Sequence, residues 1–157
     1  MDVNTLLENM RSVLAQDVQL SDWSNLTYGQ THKIYVNMDT RVPPGEDDCP
    51  YIAFYPTGKT AGDSVTRKRH IFEIICCIYD STSEINPDGN ITEYEGVSRI
   101  EDFRKMAEDA LGDMNIGNVH LDVVDIEYDT IESFPFMMAA MEVTFGQDRL
   151  IGVDPLE

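Results

Sequence analysis

The chain has 157 residues, of which 42% are hydrophobic, and this is enough for one domain with a single core. Its 29 acidic and 11 basic residues give a net charge of -18 at pH 7, so its surface repels nucleic-acid phosphates and anionic lipids. These values argue against a basic nucleic-acid-binding domain. They also argue against a disordered acidic tail, because aromatic and β-branched residues recur throughout.

The ends and the cysteines indicate a reducing compartment. The start, MDVNTLLENM, lacks the basic residues and the apolar block of a signal peptide, and no apolar run approaches the roughly 20 residues that cross a bilayer. We therefore expect a protein made in the cytoplasm, without a membrane. Cys49, Cys76 and Cys77 lack framework spacing, which favours reduced thiols, and the adjacent pair on a predicted strand points to opposite faces.

The first third of the chain predicts one helix and two strands. Apolar residues recur with helical spacing in DVNTLLENMRSVLAQD (residues 2–17), where Asn4 or Thr5 can cap the helix. The next stretch, VQLSDWSNLTYGQTHK (18–33), is less regular and is predicted to be a loop. Short strands are predicted at 33–37 and 51–55 around a turn-rich segment, and residues 56–66 are predicted to form another loop.

The stretch SVTRKRHIFEIICCIYDS (64–81) predicts a long strand that opens with bases. Its two faces are both apolar, broken only by Glu73: Phe72, Ile74, Cys76 and Ile78 lie on one, and Ile71, Ile75, Cys77 and Tyr79 on the other. Antiparallel sheets commonly leave one face in solvent, so such a strand needs cover on both. A short chain with few helices is not expected to supply all of that cover by itself.

The second half predicts a turn, a helix and two strands. NPDGN (86–90) is a turn cluster, and in SRIEDFRKMAEDALG (98–112) Ser98 and Glu101 match a capping box, with Gly112 as the stop. In VHLDVVDIEYDTI (119–131), an apolar row alternates with an acidic one. The apolar row is Val124, Ile126 and Tyr128, and the acidic row is Asp125, Glu127 and Asp129. FPFMMAAMEVTFG (134–146) is apolar on both faces over its first half.

These elements predict an α+β fold, with a mainly antiparallel sheet of about five strands and two flanking helices. Residues 1–146 are expected to form a single domain. Residues 147–157 are expected to form an extended C-terminal tail, which can dock on the body or on a neighbouring subunit through Leu150, Ile151 and Val153.

Several short motifs suggest chemistry but lack what it requires. GKT (58–60) resembles the end of a phosphate-binding loop, yet Ala53 stands where that loop needs glycine and Pro56 has no amide to donate. GDSV (62–65) with His70 suggests a hydrolase, but it lies mid-chain in a predicted polar loop, without a parallel-sheet pattern. We interpret it as a hairpin tip.

The metal-ligating residues also lack a site pattern. His32, His70 and His120 are scattered, and their spacing to the cysteines matches no zinc site. The acidic row can hold calcium or magnesium, but it is more typical of a solvated strand face. The sequence therefore predicts no catalytic, cofactor-binding or metal-binding site, and no enzyme.

The order of these elements resembles the tail terminator (tail completion) proteins of long-tailed bacteriophages and prophages. The resemblance runs from Asn4 to Phe145 through an amphipathic helix, a strand, the long strand RKRHIFEIICCIYD, the helix SRIEDFRKMAEDALG and the closing strand PFMMAAMEVTF. It implies a virion protein of the tail or neck that is assembled in the host cytoplasm as a ring, usually a hexamer. The ring would cap the tail tube, end its growth and dock head–tail connector or neck proteins, with DNA passing through unbound.

In such a ring the basic residues acquire a partner. We expect Arg67, Lys68 and Arg69 to meet Asp125, Glu127 and Asp129 of the next copy, since complementary charge sets register. Burial at this joint is expected from Ile71, Ile75, Met138 and Ala140. The alternative is pairing within one subunit, with Glu46, Asp47 or Asp48.

Two other functions remain open from the sequence. A small acidic inhibitor that imitates DNA fits the net charge, but it has no need for strands with two apolar faces. Another neck component, such as a head–tail adaptor, fits almost as well as a terminator. The effect of salt on size distinguishes a ring from a monomeric mimic. Salt screens contacts between exposed charges, so a ring should dissociate as salt rises, whereas a monomer should keep its size.

Overall fold

The computed structural model describes residues 2–60, 67–114 and 119–148, with the side chains of Arg67, Gln147 and Asp148 excepted. In these parts the helices are α1 (Val3–Gln16), α2 (Val18–Tyr28) and α3 (Gly96–Gly112), with a 3-10 turn at Glu46–Asp48. The strands are β1 (Lys33–Val36), β2 (Tyr51–Thr60), β3 (Arg67–Tyr79), β4 (Ser83–Ile85), β5 (Thr92–Tyr94), β6 (Val119–Asp129) and β7 (Phe136–Asp148).

Five of the strands form one sheet in the order β1-β2-β3-β7-β6, and β4 and β5 form a separate hairpin. Strand β1 runs parallel to β2, while the other neighbours are antiparallel. The predicted α+β class is confirmed, and so is a five-stranded, mainly antiparallel sheet. The predicted number of helices is wrong, because residues 18–28 form α2 instead of a loop.

Helix α2 was not predicted because its apolar residues do not form a regular stripe. It is stabilised by capping at both ends and by contacts with the rest of the protein. The Asp17 carboxylate accepts a hydrogen bond from the Leu20 amide at 2.9 Å, and Gly29 ends the helix with a φ of 78°. Trp23 stacks on Phe103 of α3, with ring centroids 5.3 Å apart. Tertiary packing therefore outweighs a weak local pattern here.

The main core lies between the three helices and one face of the sheet. Leu6, Met10 and Leu14 of α1 are completely buried in it, and Phe103 of α3 packs there with them. From the sheet, β3 contributes Phe72, Ile74, Cys76 and Ile78 to this core, and β7 contributes Met137, Ala139, Met141, Val143 and Phe145. Cys76 is among them, while Cys77 faces the other way, as the alternation predicts.

The predicted helix starts are wrong by two residues. Asp2, not Asn4 or Thr5, caps α1, since its carboxylate accepts from the Thr5 amide at 2.8 Å. Helix α3 begins at Gly96, so Ser98 and Glu101 lie inside it instead of forming a capping box. The predicted end at Gly112 is confirmed.

Close packing explains the glycine that opens α3. A Cβ atom added at Gly96 would lie 2.9 Å from side-chain atoms of Met137 on β7. Contacts that short do not occur between real carbon atoms, so a larger residue would push α3 away from the sheet.

The strand boundaries differ from the predictions in two places. Residues 56–60, predicted as a loop, continue β2 past a bulge between Pro56 and Gly58, so the GKT motif lies in a strand. Strand β7 continues to Asp148, so 147 and 148 belong to the sheet and not to the tail. GDSV (62–65) and the rest of the tail lie outside the described residues.

A bulge in β6 also changes one predicted face. The pairing with β7 shifts between Val123 and Asp125, and Val124 is left exposed. Ile126 and Tyr128 keep the predicted phase and lie opposite the acidic row, on the helix side of the sheet. The Tyr128 hydroxyl donates to Glu101 of α3.

The turn predicted at 86–90 joins β4 to β5. Its glycine, Gly89, has a φ of 74°, and the Gly89 amide donates to the Asn86 carbonyl at 2.9 Å. The hairpin itself was not predicted, because each of its strands has only three residues.

The carboxylate of Asp80 joins four parts of the chain at the end of β3. It accepts hydrogen bonds from the Tyr28 hydroxyl of α2 at 2.7 Å, from the Arg99 guanidinium of α3 at 2.8 Å and from the Thr82 amide at 2.9 Å. Burial by itself would raise the pKa of Asp80, but the bonds from Arg99, Tyr28 and Thr82 outweigh it and lower the pKa. The group is therefore a buried, ionised junction.

Candidate assembly surface on the helix-free face

The second face of the sheet carries no helix in the described chain, and we call it the helix-free face. Its cover comes from the segment 37–50, through Met38 and Cys49. Beneath this segment Tyr51, Ala53 and Cys77 are buried. Farther across the sheet the apolar side chains of β3 and β7 are only half-buried. The described residues therefore shield this face of the two strands from solvent only in part.

The four apolar residues predicted for a subunit interface lie on this face. Ile71 and Ile75 project from β3, and Met138 and Ala140 from β7, each of them half-buried. Ile75 pairs directly with Ala140 across the ladder. Ile75 and Met138 pack against the cluster beneath the segment 37–50, and Ala140 adjoins them; Ile71 lies beyond Glu73, toward the other end of β3.

The predicted acidic row lies at the β6 edge of the same face. Glu127 pairs with Ala140 and Asp129 with Met138, so each carboxylate borders one of the apolar residues. Asp125 and Glu127 are exposed, and Asp129 is half-buried.

Two glutamates that interrupt the apolar faces of the long strands, Glu73 in β3 and Glu142 in β7, join Asp125 and Glu127 of this row in an acidic patch. The patch consists of Glu73, Asp125, Glu127 and Glu142; Glu73 pairs with Glu142, and Glu142 with Asp125. Burial raises the pKa of Glu73, and repulsion from Glu142, Glu127 and Asp125 raises it further. Within the described chain none of these four carboxylates has a cation within 4.0 Å. A single glutamate within the apolar face of each long strand was the signal for this patch in the sequence.

An excess of positive charge occurs where β2 ends and β3 begins, and we call this region the basic end. Lys59, Lys68 and Arg69 are exposed there, and no carboxylate of the described chain lies within 4.0 Å of them. Arg67 begins β3 at the same place, but its side chain is not described. Apart from Arg11 on α1, the other described cations each contact a carboxylate: Lys33, Arg41, Arg99, Arg104 and Lys105.

Pairing of the basic end within one subunit, the alternative left open by the sequence, is not found for Lys68 or Arg69. Asp48 pairs instead with Lys33 at 2.8 Å. The segment 46–48 lies beside the start of β2, where Tyr51 pairs with Cys77. Cys77 is eight residues from Arg69 along β3, about 26 Å at the usual strand rise.

The basic cluster is also divided between the two faces of β3. Alternation places Arg69 on the helix-free face with Ile71 and Glu73, and Lys68 on the other. Arg69 and Glu73 lie four residues apart, about 13 Å, and they form no ion pair. Among the described residues, no cation of the same protomer neutralises the acidic patch.

A second surface, which the sequence reasoning missed, lies at the other end of the sheet. We call it the hairpin patch: it combines exposed apolar residues of the β4–β5 hairpin, the start of α3 and the β6–β7 connection. It contains six of the twelve large hydrophobic residues that are exposed in the described chain, namely Ile85, Ile91, Tyr94, Val97, Ile131 and Phe134. Tyr94 and Phe134 meet edge to face, with centroids 5.3 Å apart. The alternation in EINPDGNITEY around the predicted turn was the available signal.

Metal and membrane sites are not indicated by the described residues. In residues 2–60, 67–114 and 119–148, no three His, Cys, Asp or Glu side chains lie together in a way that could hold a metal ion. No described helix has both the length and the apolarity needed to span a bilayer. Lys59 of GKT pairs with His70 across the β2–β3 ladder, and His32 is buried, with its Nε2 2.6 Å from the Leu14 carbonyl oxygen.

Comparison with known proteins adds no family: no family model and no curated protein matches the chain.

Proposed function

We propose that this protein is a structural subunit that assembles with its own copies into a closed ring, and that the ring caps a phage tail tube as a tail terminator. It would end growth of the tube and offer a docking face to the neck. The supporting observation is that, within the described residues, the sheet carries an acidic patch and a basic end that form no ion pairs. Half-buried apolar residues adjoin both: Ile75, Met138 and Ala140 lie beside the patch, and Ile71 lies between Glu73 and Arg69. The resemblance in the order of elements supplies the biological setting.

Charge supports contact between unlike surfaces of successive copies. Burial raises the pKa of Glu73, and repulsion from the carboxylates of Glu142, Glu127 and Asp125 in the single protomer raises it further. Lysine and arginine side chains of a neighbour would remove that repulsion, and the basic end has such side chains, of which Lys59, Lys68 and Arg69 have no ion-pair partner among the described residues. Complementary charge of this kind sets register and speeds encounter more than it adds affinity.

The apolar surface supports burial at the same joint. Ile75, Met138 and Ala140 are half-buried in the protomer and border the acidic patch. Removing their remaining surface from water gives about 25 cal/mol per Å² of favourable free energy. Where the basic end of one copy meets the acidic patch of the next in one direction only, the contact is head-to-tail, and such contacts close into rings when the rotation allows it.

The hairpin patch supports a second contact, with another component of the particle. It lies at the opposite end of β3 from the basic end, so it stays available when the ring closes. Its rim carries the exposed carboxylates of Glu84, Glu93 and Glu132. A tube or neck surface with an apolar centre and a basic rim fits it best.

The ring is tested by the mass of the full chain in solution. We expect light scattering after gel filtration to give a discrete mass near six protomers at low salt, and a smaller mass at high salt. Arg69→Glu and Glu127→Lys should each lower the mass. Mixing the two variants, or combining both changes in one chain, should restore it, because every joint again brings unlike charges together.

Arg11→Glu is the matched control, since it changes the net charge as Arg69→Glu does but lies on α1, away from the helix-free face. It should leave the mass unchanged. A monomer at every salt and protein concentration would contradict the ring. Terminator activity is then tested by adding the ring to polymerising tube protein: tubes seen by electron microscopy should become shorter, and unchanged lengths would refute capping.

A second candidate, the DNA-mimic inhibitor, is favoured by the acidic patch alone. It predicts a monomer whose mass is independent of salt and which displaces DNA from a DNA-binding enzyme. The same light-scattering experiment separates the two functions. Glu73→Gln/Glu142→Gln should weaken the competition of a mimic with DNA.

A further inference from the structure

Two cysteines that are far apart in sequence meet beneath the segment 37–50. The Sγ atoms of Cys49 and Cys77 lie 4.0 Å apart, and the two residues are 4% and 0% exposed. The thiols are free, and the sequence reasoning treated Cys49 as isolated. We propose that this pair is an oxidative modification site, at which a two-electron oxidant such as a peroxide forms a Cys49–Cys77 disulfide.

The positions of the two residues suit a disulfide within one protomer. Cys77 is held in the central strand β3, where it pairs with Tyr51, and Cys49 comes two residues before Tyr51. A disulfide has an S–S bond of about 2.05 Å, so the sulfurs need to approach by about 2 Å. Side-chain rotation with a small shift of the segment 37–50 supplies a movement of this size.

Neighbouring contacts hold Cys49 in place for this reaction. The Gln30 side chain donates to the Cys49 carbonyl, and Asp48 is tied to Lys33 by a 2.8 Å ion pair. Cys76 offers a natural comparison, because it is equally buried and adjacent in sequence but belongs to the core under the helices. It points away from Cys49, so it is not expected to compete.

The chemistry balances with a peroxide as the oxidant. One thiolate attacks the peroxide, the O–O bond breaks, a sulfenic acid forms and the first water leaves; the second sulfur then attacks this sulfur, the S–O bond breaks and the oxygen leaves as the second water. One S–S bond is made, two electrons pass to the peroxide, and the two thiol protons leave with the two waters. Contact with Cys77 and burial both raise the pKa of Cys49, so the folded protein should react slowly.

The disulfide would fasten the segment 37–50, the cover of the helix-free face, to the centre of the sheet. This inference depends on contacts within one protomer and not on the proposed ring. The disulfide can form in a protein that does not assemble into a ring, and a ring can form without the disulfide. Failure of one proposal is therefore distinguishable from failure of the other.

The test uses the reduced full chain, treated with hydrogen peroxide and then unfolded in the presence of an alkylating agent. Intact mass should show one free thiol in place of three, and peptide mapping should join the peptides of Cys49 and Cys77. The oxidised protein should melt at a higher temperature, and a reductant should reverse the shift.

Variants separate this pair from other outcomes. Cys76→Ala should still lose two thiols, whereas Cys49→Ala should form no disulfide within the chain and show no rise in melting temperature. Three free thiols after prolonged oxidation would overturn the proposal, as would a bond to Cys76 or a bond between chains. Mapping of the wild type decides the question even where a variant fails to fold.

Discussion

At the residue scale, single buried groups join elements that are distant in sequence. Asp80 is the clearest case, because its side chain is 1% exposed and yet ionised. Nothing in the local pattern around it predicts this role. The Tyr28 hydroxyl comes from α2, which was predicted as a loop. The Arg99 guanidinium comes from α3, whose position next to the end of β3 no local pattern shows.

We expect Asp80→Asn to lower the free energy of unfolding by about 3 kcal/mol, since it removes the buried charge that accepts from Arg99, Tyr28 and Thr82 and leaves Arg99 paired with Glu95 alone. Urea unfolding measures this loss. Asp39→Asn is the control: its pair with Arg41 is in solvent, so its loss should change the free energy of unfolding little. Equal losses in the two variants would contradict the junction.

A second residue-scale prediction concerns pH. The hydrogen bonds from buried Arg104, helped by Tyr128, lower the pKa of Glu101 to about 2, against an ordinary value of 4.5. A carboxyl whose pKa falls on folding stabilises the protein above the unfolded value and loses that contribution as pH falls through the folded one. Unfolding free energy should therefore drop between pH 4.5 and 2, and less steeply in Glu101→Gln.

Glu8→Gln is the control for this experiment, because Glu8 lies on the exposed side of α1 and takes part in no ion pair of the described chain. Its pH profile should match the wild type. Identical profiles for Glu101→Gln and the wild type would refute the role of Arg104. The Glu101 side chain is 43% exposed, so solvent screening keeps the effect small.

At the element scale, α2 is the main departure from the prediction. Its first and last turns are capped, but its apolar residues do not repeat regularly along one stripe, and Leu26 is 90% exposed. What holds it is the stack of Trp23 on Phe103 and the edge contact of Trp23 with Tyr28, at 5.3 and 5.6 Å. Periodicity describes a helix well only when one face does all of the packing.

We expect Trp23→Ala to lower the free energy of unfolding by about 3 kcal/mol, because it removes a large aromatic ring from the contact between α2 and α3. Circular dichroism during urea unfolding measures this. Leu26→Ala on the same helix should cost less than about 0.5 kcal/mol, as its side chain is in solvent. A larger loss in Leu26→Ala would contradict this account of α2.

At the scale of the whole molecule, charge is distributed unevenly and not merely in excess. Most described cations are tied to carboxylates, while the basic end and the acidic patch each lack a partner. The salt dependence of the mass, proposed above, is a consequence of this distribution and not of the net charge of -18 alone. The hairpin patch adds an apolar surface at the far end, so the molecule offers distinct surfaces to distinct partners.

The sequence by itself determined the α+β class, the two strands with apolar faces, the opposite directions of Cys76 and Cys77 and the turn at 86–90. These are local properties, since strand alternation and turn chemistry depend on neighbours along the chain. Only the tertiary structure decided which face the helices cover, that β1 runs parallel to β2, that Cys49 meets Cys77 and that Asp48 lies far from Arg69. Each of these depends on the path of the chain through space, which brings together residues that no local pattern relates.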